Sequence, residues 1–258
     1  MMASTAPQNA SLPLLYTDLI PVSSIEHASW KTRAIDNVLF LRTQHAIPVT
    51  IDEFALVQRN YPIIFSVGDN PVPLALMGLN EGVNTFVDEA GKINENVYLP
   101  AYVRRYPFLL AKLRPDAEEL SLCFDPAPGA IGPFEDGEPL FEDGQPTEAV
   151  KRILSFCEEF EQSGLKTGQF MAELAEHKLL MDGEVSIQPE GESQPFIYRG
   201  FQMVDEAKLR DLRGDVLRKM MQSGMLPLIH AHLFSLQLMR EIFGRQMAQG
   251  LVTKAPAN

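Results

Sequence analysis

Two Tyr-Pro junctions, Tyr61-Pro62 and Tyr106-Pro107, constrain this chain more than any other feature. A proline disfavours helix at the residue before it, so a helix that reaches either tyrosine must stop there. An apolar run follows each junction, Ile63-Ile64-Phe65 and Phe108-Leu109-Leu110, and reads as buried strand. Arg59-Asn60-Tyr61-Pro62-Ile63-Ile64-Phe65 lines up with Arg104-Arg105-Tyr106-Pro107-Phe108-Leu109-Leu110 at an offset of 45. Phe86-Val87-Asp88 then Gly91 has an echo in Phe141-Glu142-Asp143-Gly144. The pattern predicts a repeated unit of short helix, Tyr-Pro, strand, turn and strand. Two copies are too few for a solenoid. Internal duplication and two similar solutions to one packing problem both account for it.

The first copy begins at Thr50, a helix N-cap with Glu53 three residues on as its capping-box partner. The short helix after it ends at Pro62. Ile63–Val67 and Val72–Leu79 are strands about the turn Gly68-Asp69-Asn70-Pro71, and Asn84–Asp88 is a further strand. The second copy has a helix over 95–106, a strand over 108–113, a turn at 114–117 and a returning strand over 120–125. Upstream, 14–22 is extended, and Val38, Phe40 and Leu41 suggest a strand. Downstream, residues 126–146 are rich in Pro, Gly and acid and read as loop or turns. Thr147 caps an amphipathic helix with Val150, Ile153, Leu154, Cys157 and Phe160 on one face. Gly164 is expected to end that helix, with a second helix over 165–181. A hairpin follows at 184–188 and 196–204, then helical segments from Asp205 and Asp215, a break at Ser223-Gly224, and an apolar helix over 226–243.

The expected fold is therefore α+β, with mostly antiparallel sheet in the N-terminal half packed with C-terminal helices. The expected organisation is a disordered tail over 1–13, a single domain over 14–246, and a C-terminal tail over 247–258. The domain is strand-rich to about 146 and helix-rich after.

The chain has 258 residues, enough for a substantial core, and a net charge of −12. That charge argues against nucleic acid or an anionic membrane as partner. Between Asp116 and Glu161 lie 13 acids against 2 bases, which reads as a solvated face or as a patch for a basic partner. The N-terminus shows neither a charged nor an apolar leader region, and no apolar run is long enough to span a bilayer, so a cytoplasmic location without a membrane span is expected. Cys123 and Cys157 sit in apolar patterns and read as buried free thiols.

No stretch carries a specific catalytic, metal or nucleotide signature, and the expectation is no catalytic residue, no metal and no cofactor. His230 and His232 are two apart on a helix and face different ways, whereas helical metal pairs sit three or four apart. His232 on the apolar face reads as a core histidine with one nitrogen satisfied. Phe134-Glu-Asp-Gly137 and Phe141-Glu-Asp-Gly144 lack the alternating ligands of a calcium loop and read as turns. Met220, Met221, Met225 and Met239 read as core, or as an adaptable partner surface. The corner residues remain. Structurally, Tyr61 and Tyr106 fill the helix–strand corner while the arginines sit at helix C-termini. Functionally, Arg59, Tyr61, Arg104, Arg105 and Tyr106 would wall a groove for a carboxylate or peptide backbone, since arginine and tyrosine are favoured at binding hot spots.

Pro73-Leu-Ala-Leu-Met-Gly-Leu79, Phe86-Val-Asp88 and Tyr98-Leu-Pro-Ala-Tyr-Val-Arg-Arg-Tyr-Pro-Phe108 resemble the SapC family. Phe201-Gln-Met-Val-Asp-Glu-Ala-Lys-Leu209 and Leu226-Pro-Leu-Ile-His-Ala-His-Leu-Phe-Ser-Leu236 are similar to that family's ending. The resemblance implies a bacterial accessory role in surface-layer, export or TonB-dependent uptake systems, and carries over no catalytic residues. The expected function is a non-enzymatic accessory or binding protein that recognises a peptide or protein, with self-association left open. The alternatives are an enzyme that modifies a peptide or amino-acid side chain together with a partner protein, and a structural surface-layer component.

Overall fold

The structure, a computed structural model, describes residues 12–93, 96–114, 116–117, 119–189, 191 and 193–252. Its elements run β1 (Ile20–Pro21), β2 (Lys31–Thr32), β3 (Ala46–Pro48), α1 (Phe54–Val57), β4 (Ile63–Phe65), β5 (Pro73–Leu76) and α2 (Ala101–Arg105). There follow β6 (Phe108–Ala111), β7 (Ser121–Phe124), β8 (Ile131–Gly132), β9 (Glu138–Pro139), β10 (Phe141–Glu142), β11 (Gln145–Pro146) and α3 (Glu148–Glu176). The rest is β12 (Leu180–Ile187), β13 (Phe196–Val204), α4 (Glu206–Arg210), α5 (Gly214–Ser223), α6 (Met225–Ser235) and α7 (Met239–Ala248). The fold class is α+β, and the strand ladders are antiparallel.

The chain forms two compact units, each built from two segments. The first comprises Met1–Asp36 and Val103–Gln162. It contains a sheet of order β1-β7-β6, a sheet of order β8-β2-β9, and the β10-β11 hairpin. Phe108, Phe124, Ile131, Leu140, Val150 and Cys157 form its core, with Trp30 and Leu122 packed against them. The second unit comprises Asn37–Tyr102 and Ser163–Asn258. Its five-stranded sheet has the order β12-β13-β4-β5-β3. Phe54 and Phe65 pack on Phe170, with ring centroids 5.8 and 6.4 Å apart.

Both Tyr-Pro units form as the pattern predicts. β4 pairs with β5 and β6 pairs with β7. Each hairpin gains one further bond at its proline: the Leu76 N–H donates to Pro62 O, and the Asp125 N–H donates to Pro107 O, both at 2.9 Å. The capping box at Thr50 and Glu53 is present. That box closes the 3-10 turn Ile51–Glu53 that leads into α1, and Glu53 does more than complete it. Its Oε2 accepts from the Thr50 N–H and hydroxyl, each at 3.0 Å. Its Oε1 accepts from the Tyr98 hydroxyl at 2.9 Å and the Ala101 N–H at 2.6 Å. The second contact caps the start of α2, so one buried carboxylate serves two helices.

Several elements differ from expectation. The segment at Val38–Leu41 makes a 3-10 turn over Leu39–Leu41 instead of a strand. Only Leu41 needs full burial there, and Leu39 stays 47% exposed. The strand expected at 84–88 reduces to a single bridge, Val87 to Ile93. Asn84 prevents the ladder: its amide nitrogen donates to Leu41 O and Gln44 O, and its oxygen accepts from the Phe86 N–H. The helix expected over 95–106 begins only at Ala101, and residue 95 lies outside the described residues. The two helices expected about Gly164 are one, the 29-residue α3. Glycine costs about 1 kcal/mol in a helix interior, too little to break one whose flanking turns bury apolar side chains. The helix ends instead where Lys178 turns left-handed at φ 54° and the Leu179 N–H reaches back to Leu174 O at 2.9 Å. The expected N-terminal tail falls outside the described residues over 1–11. At the other end, α7 runs to Ala248, and residues 253–258 lie outside.

Replacing Glu53 with alanine strips an acceptor from four donors, two of them main-chain. The expected loss is on the order of 3 kcal/mol in urea unfolding, with Glu53→Gln intermediate because the amide keeps one acceptor oxygen.

Candidate functional site

The five corner residues divide between the two units. Arg59 and Tyr61 belong to the second, and Arg104, Arg105 and Tyr106 to the first. Both tyrosines are buried, at 0% and 7% exposure. Tyr106 packs edge-on against Tyr16 at 5.2 Å and its hydroxyl donates to Asp125. Burial first, then the Asp125 charge and this bond, push its hydroxyl up to about 12. Asp125 also accepts from the Thr17 N–H at 2.6 Å and the Ala127 N–H at 2.8 Å. Arg105 is buried, bonds Glu161 at 3.1 Å and lies 4.1 Å from the Phe160 ring centroid. Arg104 is exposed, 5.2 Å over Phe156, and Arg59 is exposed. The tyrosines and Arg105 thus serve the interior.

The other interior ionisable groups are also engaged. His232, with no exposed surface, stacks on Phe65 at 4.6 Å. Its Nδ1–H donates to Ile63 O at 2.7 Å and its Nε2 accepts from the Val204 N–H at 3.1 Å. Both nitrogens are used, one more than the sequence reading allows, and neither is left for a metal. Burial lowers the ring to about 4, partly opposed by the Ile63 bond. Cys123 and Cys157 are free and buried, and burial pushes each thiol up to about 11. Among the described residues no group of three or more His, Cys, Asp or Glu is placed to hold a metal ion.

The second unit carries a site that the sequence reading passes over. An open cleft of about 390 Å³ is walled by Phe86, Asp88, Lys92, Arg245 and Gln249, among others. A second cleft of about 680 Å³ adjoins it and shares Val87, Asp88 and Gln249. The placement of Arg245 follows from the packing of α7. Met239, Ile242, Phe243 and Gln246 turn inward. Gln246 Oε1 accepts from the Leu79 N–H at 2.6 Å, and its amide donates to Asn80 Oδ1 at 2.8 Å. One turn on, the Gln249 amide donates to Thr85 O at 3.1 Å. The Arg245 guanidinium then lies 4.8 Å from the Phe86 ring centroid, a cation–π distance. Tyr61 packs on Phe86 at 4.7 Å. Its hydroxyl is buried and has no hydrogen-bond partner among the described residues. Burial raises its pKa, and the Arg245 charge acts in the opposite sense. The inward spacing at 239, 242, 243 and 246 is the signal that could have extended the helix past Phe243 and set Arg245 and Gln249 on one side.

The chain matches the SapC family model over residues 22–242. It belongs to the SapC family. No curated protein and no solved structure matches it. The family match reaches into both units and covers both Tyr-Pro junctions and the Phe86 side of the cleft, and it ends within α7, before Arg245 and Gln249. Among the described residues of this SapC member, no helix is long and apolar enough to cross a membrane.

Two measurements check these roles. Tyr61→Phe removes an unpartnered buried hydroxyl and is expected to leave stability unchanged or raise it by up to about 1 kcal/mol, whereas Tyr106→Phe removes the Asp125 bond and is expected to cost about 1–2 kcal/mol in the same denaturation assay. The His232 ring is protonated in the unfolded chain below about pH 6.5 but in the native protein only near 4. Its contribution is therefore complete above 6.5 and lost as pH falls toward 4, by about 3 kcal/mol. The urea midpoint of His232→Gln is expected to fall less steeply over that window than that of the wild type.

Proposed function

We propose that this SapC member is a non-enzymatic accessory protein that binds a peptide or protein partner in a bacterial surface-layer, export or uptake system. The observation that carries this reading is the pair of adjoining clefts in the second unit, open to solvent and sharing the wall of Val87, Asp88 and Gln249. Two clefts side by side, a trough in two parts, suit an extended chain better than a compact metabolite. Concave sites use apolar walls with a few convergent polar groups, and Phe86 beside Arg245, Lys92 and Gln249 has that composition. An arginine stacked on an aromatic ring is also a common binding anchor. The interior ionisable groups Glu53, Asp125 and His232 spend their hydrogen-bonding capacity on the fold. The surface system is proposed from the family resemblance. Arg59 on the second unit and Arg104 on the first, each exposed, remain proposed contact residues of their own units.

The test is a photoreactive amino acid placed at Glu89, which lines the larger cleft with its side chain 95% exposed. A second chain carries it at Leu165, 73% exposed on α3, as the control. Irradiated native cells are expected to yield a discrete polypeptide adduct from position 89, lost with Arg245→Glu and absent from position 165. Equal adducts from both positions, or none from position 89, would overturn the reading.

A further inference from the structure

We propose that the trough captures the free C-terminal carboxylate of a polypeptide, an inference that rests on the peptide-binding reading above and names the group recognised. Three features of the wall specify that group. The first is charge. Arg245 and Lys92 both line the smaller cleft, and among the described residues neither forms an ion pair. This happens in a chain where acids outnumber bases 34 to 22, so carboxylate partners are plentiful elsewhere. Asp88, the acid in the same wall, directs Oδ1 to the N–H groups of Ala90 and Lys92 at 2.9 and 2.8 Å. Two cations against one acid leave a single uncompensated positive charge, which matches a monoanionic carboxylate.

The second feature is pre-organisation. The Phe86 face supports the guanidinium of Arg245, and Gln246 holds its helix to Leu79 and Asn80. A supported guanidinium presents its N–H fork at little further entropic cost, and that fork fits a carboxylate bidentately. The third is the neighbouring amide. Gln249 commits its N–H to Thr85 O, and its Oε1 takes no bond from any described residue. A polypeptide C-terminus carries a peptide N–H close to its carboxylate, and that pair fits an acceptor beside a cation fork. Beyond the shared Asp88, the larger cleft adds Arg42 and Glu89, which pair at 3.7 Å, together with the apolar Val83 and Leu251. Residues preceding the carboxylate should therefore be apolar.

The experiment uses the full chain and a pool of octapeptides randomised at their last four positions, in two forms: free carboxylate and C-terminal amide. A third pool is amidated and carries a fixed internal glutamate, which separates a side-chain carboxylate from a chain end. Inorganic phosphate serves as the free-anion competitor. Retention on immobilised protein is read by mass spectrometry. The free-acid pool is expected to be retained at least about tenfold more than either amidated pool, the worth of one charge-assisted hydrogen-bonded contact. Retained sequences should be enriched in apolar residues. Arg245→Gln is expected to abolish the difference, and Arg240→Gln, an exposed change on the same helix, to leave it intact, with thermal unfolding confirming that both variants fold. Equal retention of acid and amide pools would overturn the carboxylate assignment while leaving peptide binding standing. Retention of the glutamate pool equal to the free-acid pool would overturn the chain-end assignment. No retention of any pool would overturn both, whereas displacement of the free-acid pool by phosphate at equal concentration would overturn the chain-end assignment alone.

Discussion

The buried carboxylate of Glu53 is the interaction on which the second unit's entry into order depends. Burying a charge is costly unless hydrogen bonds replace its hydration. Here four donors do so, from Thr50, Tyr98 and Ala101. The two main-chain bonds among them, from Thr50 and Ala101, answer a second demand, because the first N–H groups of a helix have no partner inside it. Both α1 and α2 are too short to be stable alone, since helix nucleation is costly. A shared acceptor lets tertiary packing supply what their length does not. The Tyr98 main chain is tied to the same region, its N–H donating to Asn60 Oδ1 at 3.0 Å.

The two Tyr-Pro units show how one local solution is finished in different ways. In each, proline ends the helix, its carbonyl accepts the closing bond of the hairpin, and the tyrosine is buried. The tyrosines then part. Tyr106 meets Asp125, whose carboxylate also organises Thr17 and Ala127. Tyr61 meets the ring of Phe86, with Arg245 beyond it, and its hydroxyl stays unpartnered among the described residues. A polar atom left unsatisfied in a well-packed interior costs stability. It stands here directly behind the wall of the cleft, where the proposed recognition takes place.

Acidity, the most conspicuous feature of the composition, is distributed by the fold instead of being spread over one face. Within the acidic stretch, Asp125 is interior, and Glu161, Glu138, Glu148 and Asp136 pair with Arg105, Arg152, Lys151 and Arg33. Exposed pairs of this kind contribute little each. Among the described residues Arg245 and Lys92, outside that stretch, form no ion pair and line a concave surface.

The elements that depend on neighbours along the chain were legible in the residues themselves: the capping box at Thr50, the stops before Pro62 and Pro107, both Tyr-Pro hairpins, the β12–β13 hairpin, and the break at Gly224 with its φ of 82°. Proline geometry, capping and turn chemistry act over a few residues, and no distant contact reverses them. Gly164 was misread because a glycine's helix cost is small beside the burial on either side of it. The strand at 84–88 was misread because the Asn84 partners, Leu41 and Gln44, are fixed only when the chain folds back. The candidate cleft is of this second kind. The corner arginines and tyrosines drew attention because they repeat, yet the fold turns Tyr61, Tyr106 and Arg105 inward. Phe86, Lys92, Arg245 and Gln249 have no shared spacing in the chain. The sequence by itself determined the capped and proline-bounded local units and the hairpins built on them. Only the tertiary structure decided which charges are left without partners and on which surface they meet, because that depends on how α7 packs, through Gln246, against residues far from it in the chain.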